Sequence, residues 1–356
     1  MKLRSLECLR GLAALSVVFA HGSTLIVAHQ GLGFSSFHHG LEFYGAPGLE
    51  FFFVLSGFVM AMMHGGDMGR ASRVPPFLWS RFCRIYPLLW ALLAVRMWQV
   101  WPLLTVTPGN VLNWVTLNPF NESDLNPVFW TLKLELGFYT LFAASLLPWV
   151  GPFVLACWAG YEALFVSGFP LGAYLPAGVM AQPFLFKLTF FSLNFFAGLI
   201  AGDLFRRVRL PAAAAAALAA AGLALAAWRL SQDGWGQSYG PPVARLAYGA
   251  GYGSLMLGLA SLERAGHIRL GRWAAVMGIV SYPLYIVHVP VIDAVSKVLE
   301  TVGRPPAMGQ NTVFILYVTG SVAASLVLAY AVDRPLRRLL RQGVRRPSAA
   351  HPAAAA

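Results

Sequence analysis

Long apolar runs recur along almost the whole chain, broken at intervals by short polar and basic stretches. Each run approaches the ~20 residues an α-helix needs to cross a bilayer. The pattern predicts an all-α polytopic membrane protein with about ten transmembrane helices. They are placed at 6–28, 46–64, 78–100, 127–149, 151–168, 184–205, 211–229, 243–262, 274–296 and 312–332. The fifth is short and the seventh is alanine-rich, so the pattern is weakest there. The run GAGYG, Gly249–Gly253, puts small residues in the eighth span and predicts close helix packing.

The basic residues give the runs a direction. With the N-terminus inside, the inner segments hold Lys2 and Arg4, Arg70 and Arg73, then Arg206, Arg207 and Arg209. Arg264, Arg269 and Arg272 follow, and then the group from Arg334 to Arg346. The outer segments 29–45, 101–126 and 169–183 contain no Lys or Arg, while Arg229, Arg245, Lys297 and Arg304 are exceptions. Such an asymmetry predicts that both termini are cytoplasmic. The N-terminus has a basic start, but Glu7 and Arg10 interrupt its apolar stretch, so it is read as a retained first span rather than a signal peptide.

Composition agrees. The chain is 356 residues, 58% hydrophobic and 11% charged, against about 25% charged in a soluble domain. The expected organisation is one transmembrane domain over 1–340 and a disordered cytoplasmic tail over 341–356. The formal charge of +12 does not point to nucleic acid, because the basic residues are scattered between apolar runs. Cys8, Cys83 and Cys157 give neither a disulfide framework nor metal-ligand spacing, and no metal is expected.

Ionisable residues inside the apolar runs are the candidates for chemistry, because they are costly at membrane depth. In LRGLAALSVVFAH, Arg10 and His21 are eleven residues apart. At 100° per residue they share one helix face, about 16 Å apart along the axis. Arg10 alone reads equally well as a headgroup anchor; His21, further in, points to function. Glu50, Glu135 and His288 are placed at a depth similar to His21, in the outer half, and four such groups at one level suggest a pocket. Lys133, two residues from Glu135, faces another side and is given no role. On the inner side, Arg81 and Arg84 stand three apart at the start of the third span, able to clamp a phosphate or to anchor orientation.

Six stretches together resemble the acyltransferase family 3 integral membrane acyltransferases, in the stand-alone form. They are LECLRGLAALSVVFAH, GLEFFFVLSGFVM, RFCRIYPLLW, NPVFWTLKLELGFYTLF, SYPLYIVHVP and DRPLRRL, in the family's order across residues 6–339. Arg10 and His21 match the family's arginine, ten residues, histidine spacing. Glu135 matches the acid of its W-S-L-x-x-E pattern, with Thr131 in place of serine. Leu136 stands where a second acid is frequent, and Cys8 where an aspartate or similar is common.

The resemblance implies an O-acyltransferase, with cytoplasmic acyl-CoA, expected to be acetyl-CoA, as co-substrate and no bound cofactor. It implies donor contacts from Arg10, Arg81 and Arg84. His21 would be the base or acyl carrier and Glu135 its orienting group. Glu50 or His288 would hold the acceptor, in a pocket shared with Ser56, Trp130, Tyr139 and Tyr285. The implied acceptor is a hydroxyl of a glycan or glycolipid, and the implied location a bacterial-type inner membrane. The rival reading is a transporter of an organic acid or sugar using intramembrane His and Glu for proton coupling. A sensor or scaffold that has lost activity is a third.

Overall fold

A computed structural model describes residues 3–30, 40–41, 47–101, 104–169, 182–232, 242–303 and 308–342. Among these residues the regular structure is helical throughout. In chain order the helices are α1 (Arg4–Gln30), α2 (Gly48–His64), α3 (Val74–Val100), α4 (Pro108–Thr116), α5 (Phe129–Ser145) and α6 (Val150–Val166). There follow α7 (Pro183–Arg207), α8 (Ala212–Gln232), α9 (Pro242–Arg264), α10 (Arg272–Val302) and α11 (Gln310–Val327). A π-helical turn over Leu328–Asp333 joins α11 to α12 (Arg334–Gln342).

A helix lies over each of the ten expected ranges. Seven of them are long and apolar enough to cross a membrane: α1, α2, α3, α7, α8, α10, and α11 with its continuation. This is fewer than the expected ten because α5 and α6 are 17 residues each, and α9 carries Arg245, Glu263 and Arg264 among its apolar residues. The alanine-rich α8, weakest in the sequence, is among the seven. Helix α4 occupies a segment expected to be a loop. Thr107 caps it by accepting from the Asn110 amide at 3.2 Å, and Pro108 fits its first turn, where no amide proton is needed. The last helix runs to Gln342, two residues into the expected tail; residues 343–356 lie outside the described residues, as does Arg304.

Close approach at small residues sets which helices are neighbours. A Cβ at Gly57 would lie 2.0 Å from the Phe195 carbonyl oxygen, and one at Gly198 2.0 Å from that of Val54. Gly198 and Gly202, four apart on α7, thus let its backbone lie on α2 around residues 54–58. The GAGYG run packs as expected, Gly249 against Ala197 of α7 and Gly251 against Gly222 of α8. Gly57→Leu should therefore cost about 3 kcal/mol, the upper end for overpacking. Thermal unfolding in detergent would show it as a lowered midpoint and reduced recovery of monodisperse protein.

The same contacts fix direction. Val54 meets Gly198 and Phe58 meets Gly202, so α2 and α7 run parallel. Arg10 donates to the Gly278 carbonyl and His21 bonds His288, so α1 and α10 also run parallel. The Tyr282 hydroxyl donates to the Ile85 carbonyl at 2.9 Å and Arg96 pairs with Asp293, so α3 runs parallel to α10 as well. Helices α8 and α9, packed through Ala215 on Gly258 and Ala226 on Gly251, are antiparallel.

Helix α10 carries Pro283 and Pro290 in its interior. Pro290 has no amide proton, which removes the helical donor for the Ile286 carbonyl. The buried Asn126 side chain supplies a donor instead, its Nδ2 at 3.0 Å. The Asn126 Oδ1 accepts from the Val128 amide at 3.2 Å, so this one residue joins the start of α5 to the bend in α10.

Candidate functional site

A cavity of about 320 Å³ opens between α1, α2, α3, α5 and α10, with α12 at its edge. Local helix geometry brings its polar wall together. Arg81 and Arg84 are three apart on α3, and Glu135 and Tyr139 are four apart on α5. On α10, Ser281, Tyr285 and His288 fall at i, i+4 and i+7, one stripe facing α1. Because α1 and α10 run parallel, that stripe follows the Arg10–His21 face along its length.

Four arginines line the cavity, Arg10, Arg81, Arg84 and Arg337, with two glutamates, Glu7 and Glu135. Arg337 is already paired with Asp333 at 2.7 Å and lies over the Tyr282 ring at 5.7 Å. Arg81 lies over the rings of Phe77 and Tyr139 at 5.3 and 5.4 Å. Glu135 accepts the Tyr139 hydroxyl proton. The guanidinium of Arg84 makes no hydrogen bond or ion pair among the described residues, and the buried Arg10 Nε and Ser56 Oγ have no hydrogen-bond partner among them. Buried polar groups are normally satisfied. Here unsatisfied donors share a cavity with a surplus of positive charge, which is the chemistry of an anion site.

The other wall is apolar, built by Leu49, Phe52, Phe53, Leu55, Val59 and Met60 of α2. It ends at Tyr285, whose ring meets Phe52 edge-on at 5.5 Å. The Tyr285 hydroxyl lies 2.6 Å from Thr131 Oγ1, which itself donates to the Val128 carbonyl at 2.8 Å. His288 stands next to Tyr285, its ring 6.1 Å away, and is bonded to His21. His21 Nδ1 and His288 Nε2 are 2.9 Å apart, with ring centroids separated by 5.0 Å and planes inclined by 19°. That is an edge-to-edge hydrogen bond, nitrogen to nitrogen, between nearly coplanar rings.

The structure thus brings Arg10, Arg81, Arg84, Glu135, Tyr139, Ser56 and Tyr285 to one cavity and sets His21 and His288 just behind its far wall. The expected single pocket of His21, Glu50, Glu135 and His288 is not formed. Glu135 stands with the arginines, and among the described residues no hydrogen bond joins it to His21. Glu50 is buried against Arg245 and accepts from the Asn194 amide, off the cavity wall. Equal depth along two helices carries no information about which way each side chain points. Trp130 packs on Phe191 at 5.8 Å and holds Lys187 over its ring, also away from the cavity. Lys133, given no role, is buried in an ion pair with Asp124 at 2.7 Å.

Arg337 and Tyr282 are among the cavity residues to which the sequence gives no individual assignment. Arg337 reads as one of the inner basic residues, and its spacing of four from Asp333 in DRPLRRL marks a helical pair but not the side it faces. Tyr282, three residues before Tyr285, lies on the same wall.

Comparison with known proteins agrees with this architecture. A family model described as an acyltransferase domain, that of acyltransferase family 3, matches residues 3–333. The chain is 30% identical over 310 residues to the exopolysaccharide production protein ExoZ of Rhizobium meliloti (strain 1021), covering 83% of this chain and 90% of that protein. No solved structure matches. With nearly its whole length matched and its apolar helices in place, the chain belongs to acyltransferase family 3 and is a multi-pass membrane acyltransferase.

Proposed function

We propose that the protein is an O-acyltransferase of a bacterial inner membrane. It moves an acyl group, acetyl in the first instance, from cytoplasmic acyl-CoA to a hydroxyl of a glycan or glycolipid. The observation that carries this reading is the cavity itself. Four arginines line it and its apolar wall leads to Tyr285, directly in front of the His288–His21 pair. In this reading the CoA phosphates meet Arg10, Arg81, Arg84 and Arg337. The pantetheine arm lies along Phe52, Phe53 and Val59, and the thioester reaches Tyr285 and Ser56.

The chemistry is an acyl exchange. The acceptor oxygen attacks the thioester carbonyl, a C–O bond forms and the C–S bond breaks. His21 takes the hydroxyl proton and returns it to the departing CoA sulfur. Glu135, held by the Tyr139 hydroxyl, sets a carboxyl group beside the arginines.

An even number of crossings, ten when α5 and α6 both cross, agrees with the helix directions, and the basic inner segments favour both ends inside. The pairs α1 with α10, α3 with α10, and α2 with α7 are parallel, while α8 with α9 is antiparallel. Counting α4 as a non-crossing helix, strict alternation of ten spans gives each of these relations. A carbohydrate acceptor is supported by the relative whose name places it in exopolysaccharide production.

The test is thiol release. Purified protein in liposomes with acetyl-CoA and an envelope lipid extract should liberate free CoA only when both are present. Uptake of a solute driven by a proton gradient, with no thiol released, would instead establish the transporter. Arg337→Gln should raise the Kd for CoA about tenfold, the value of one charge-assisted hydrogen bond. Equilibrium binding of CoA to the purified protein reads this directly.

A further inference from the structure

The hydrogen bonds around His21 and His288 have a direction. His288 Nδ1 lies 3.2 Å from the Leu284 carbonyl oxygen, one helical turn back. A carbonyl oxygen can only accept, so Nδ1 of His288 carries the proton. In a neutral imidazole the other nitrogen, Nε2, is then a bare acceptor. Its partner at 2.9 Å, His21 Nδ1, must therefore be the donor. It follows that His21 holds its proton on Nδ1 and presents an unprotonated Nε2. The near-coplanar rings agree, because an imidazole lone pair lies in the ring plane.

We propose that His288 is a positioning residue which, through this bond, locks His21 into the tautomer whose Nε2 is basic; the inference rests on the acyl-transfer reading above. The chain of bonds runs from the Leu284 carbonyl to His288 Nδ1–H, and from His288 Nε2 to His21 Nδ1–H. It does for His21 what an orienting acceptor does for the histidine of a hydrolytic triad, with a neutral imidazole in place of a carboxylate. When the acceptor hydroxyl gives its proton to His21 Nε2, the imidazolium keeps its Nδ1–H bond to His288, and that bond gains strength from the charge. When the C–S bond breaks, the same Nε2 proton passes to the CoA sulfur and the neutral tautomer is restored. No third group exchanges a proton, and His288 never leaves its neutral form.

The fold explains why a histidine fits at position 288. It is fully buried, in the stripe of α10 that faces α1, where a carboxylate would bring an unpaired charge into the membrane interior. A neutral acceptor fixed by its own helix backbone avoids that cost. Glu135, which the sequence suggested for this task, stands with the arginines instead.

The test combines a spectroscopic and a kinetic readout. In protein carrying 15N-labelled histidine in nanodiscs, the His21 signals are assigned by their loss in His21→Ala. Wild-type His21 should show a protonated Nδ1 and a bare Nε2. His288→Leu should move the proton of His21 to Nε2 and lower kcat about 100-fold. The KM for acyl-CoA and the Kd for CoA should stay within about twofold, which also shows that the variant folds. His288→Gln, whose side-chain oxygen can accept from His21 Nδ1, should restore the tautomer and recover about tenfold of the lost kcat. A wild-type His21 protonated on Nε2 would overturn the proposal, as would full kcat in His288→Leu of an enzyme that transfers. The tautomer is read without any turnover, so absence of transfer in the wild type would count against the acyl-transfer reading and leave the pairing judged by its spectrum.

Discussion

Replacing His21 with alanine should lower acyl transfer by about 10³-fold and leave CoA affinity within about twofold. The reason is spatial. His21 is absent from the wall of the arginine cavity and is bonded to His288, so in this reading it has no part in holding the donor. In the proposed reaction it supplies a proton acceptor for a hydroxyl that is a poor nucleophile while protonated. A loss confined to kcat identifies a group that acts in the transition state, whereas a rise in KM alone would place His21 in binding. Folding is monitored by CoA binding, which in this reading rests on Arg10, Arg81, Arg84 and Arg337 and needs neither ring of the histidine pair.

Removing both Arg81 and Arg84 should have the opposite profile. Arg81→Ala with Arg84→Ala should weaken CoA binding about 100-fold or more, since each charge-assisted contact contributes about 1.5–3 kcal/mol. The ratio to wild type should shrink at high salt, because screening weakens phosphate contacts in the wild type that the variant no longer has. These guanidinium groups share a cavity with Arg10 and Arg337, and the repulsion left after Glu7, Glu135 and Asp333 falls when an anion enters. The double variant could therefore gain stability without ligand while losing the donor. Isothermal titration with CoA at two salt concentrations, beside thermal unfolding of the empty protein, separates the two effects. Equal CoA affinity in wild type and variant at both salts would move the donor site elsewhere.

What the sequence disclosed follows from which features are local. The shared face of Arg10 and His21 is a property of one helix, and so is the pairing of Arg81 with Arg84; both survive into the structure. The close-packing role of Gly249–Gly253 is local in the same sense. The partner of His21 was not, because it depends on the register between α1 and α10. That register rests on Gly11 against Met277 and Gly278 against Glu7, contacts between residues more than 260 apart in the chain. Glu50 was misplaced because depth along α2 says nothing of its azimuth, which turns it to Arg245 rather than to the cavity. Arg337 escaped because a basic C-terminal helix has the composition of an orientation signal, and only the Asp333 pairing distinguishes the arginine that turns inward. Asn126 reads as a turn residue, and its task of satisfying the carbonyl freed by Pro290 appears only when α5 and α10 are side by side.

In the proposed mechanism one connected site binds acyl-CoA through its arginines and transfers the acyl group under the action of His21. A single-turnover experiment tests it most directly. Protein in nanodiscs is loaded with acetyl-CoA labelled in the acetyl group, then mixed with envelope lipid extract, and the label is followed with time. In the wild type, label should leave CoA and appear as an alkali-labile ester on the extract. In His21→Ala, it should remain on bound CoA. Transfer at the wild-type rate by His21→Ala, or label that stays on CoA in the wild type, would contradict the account.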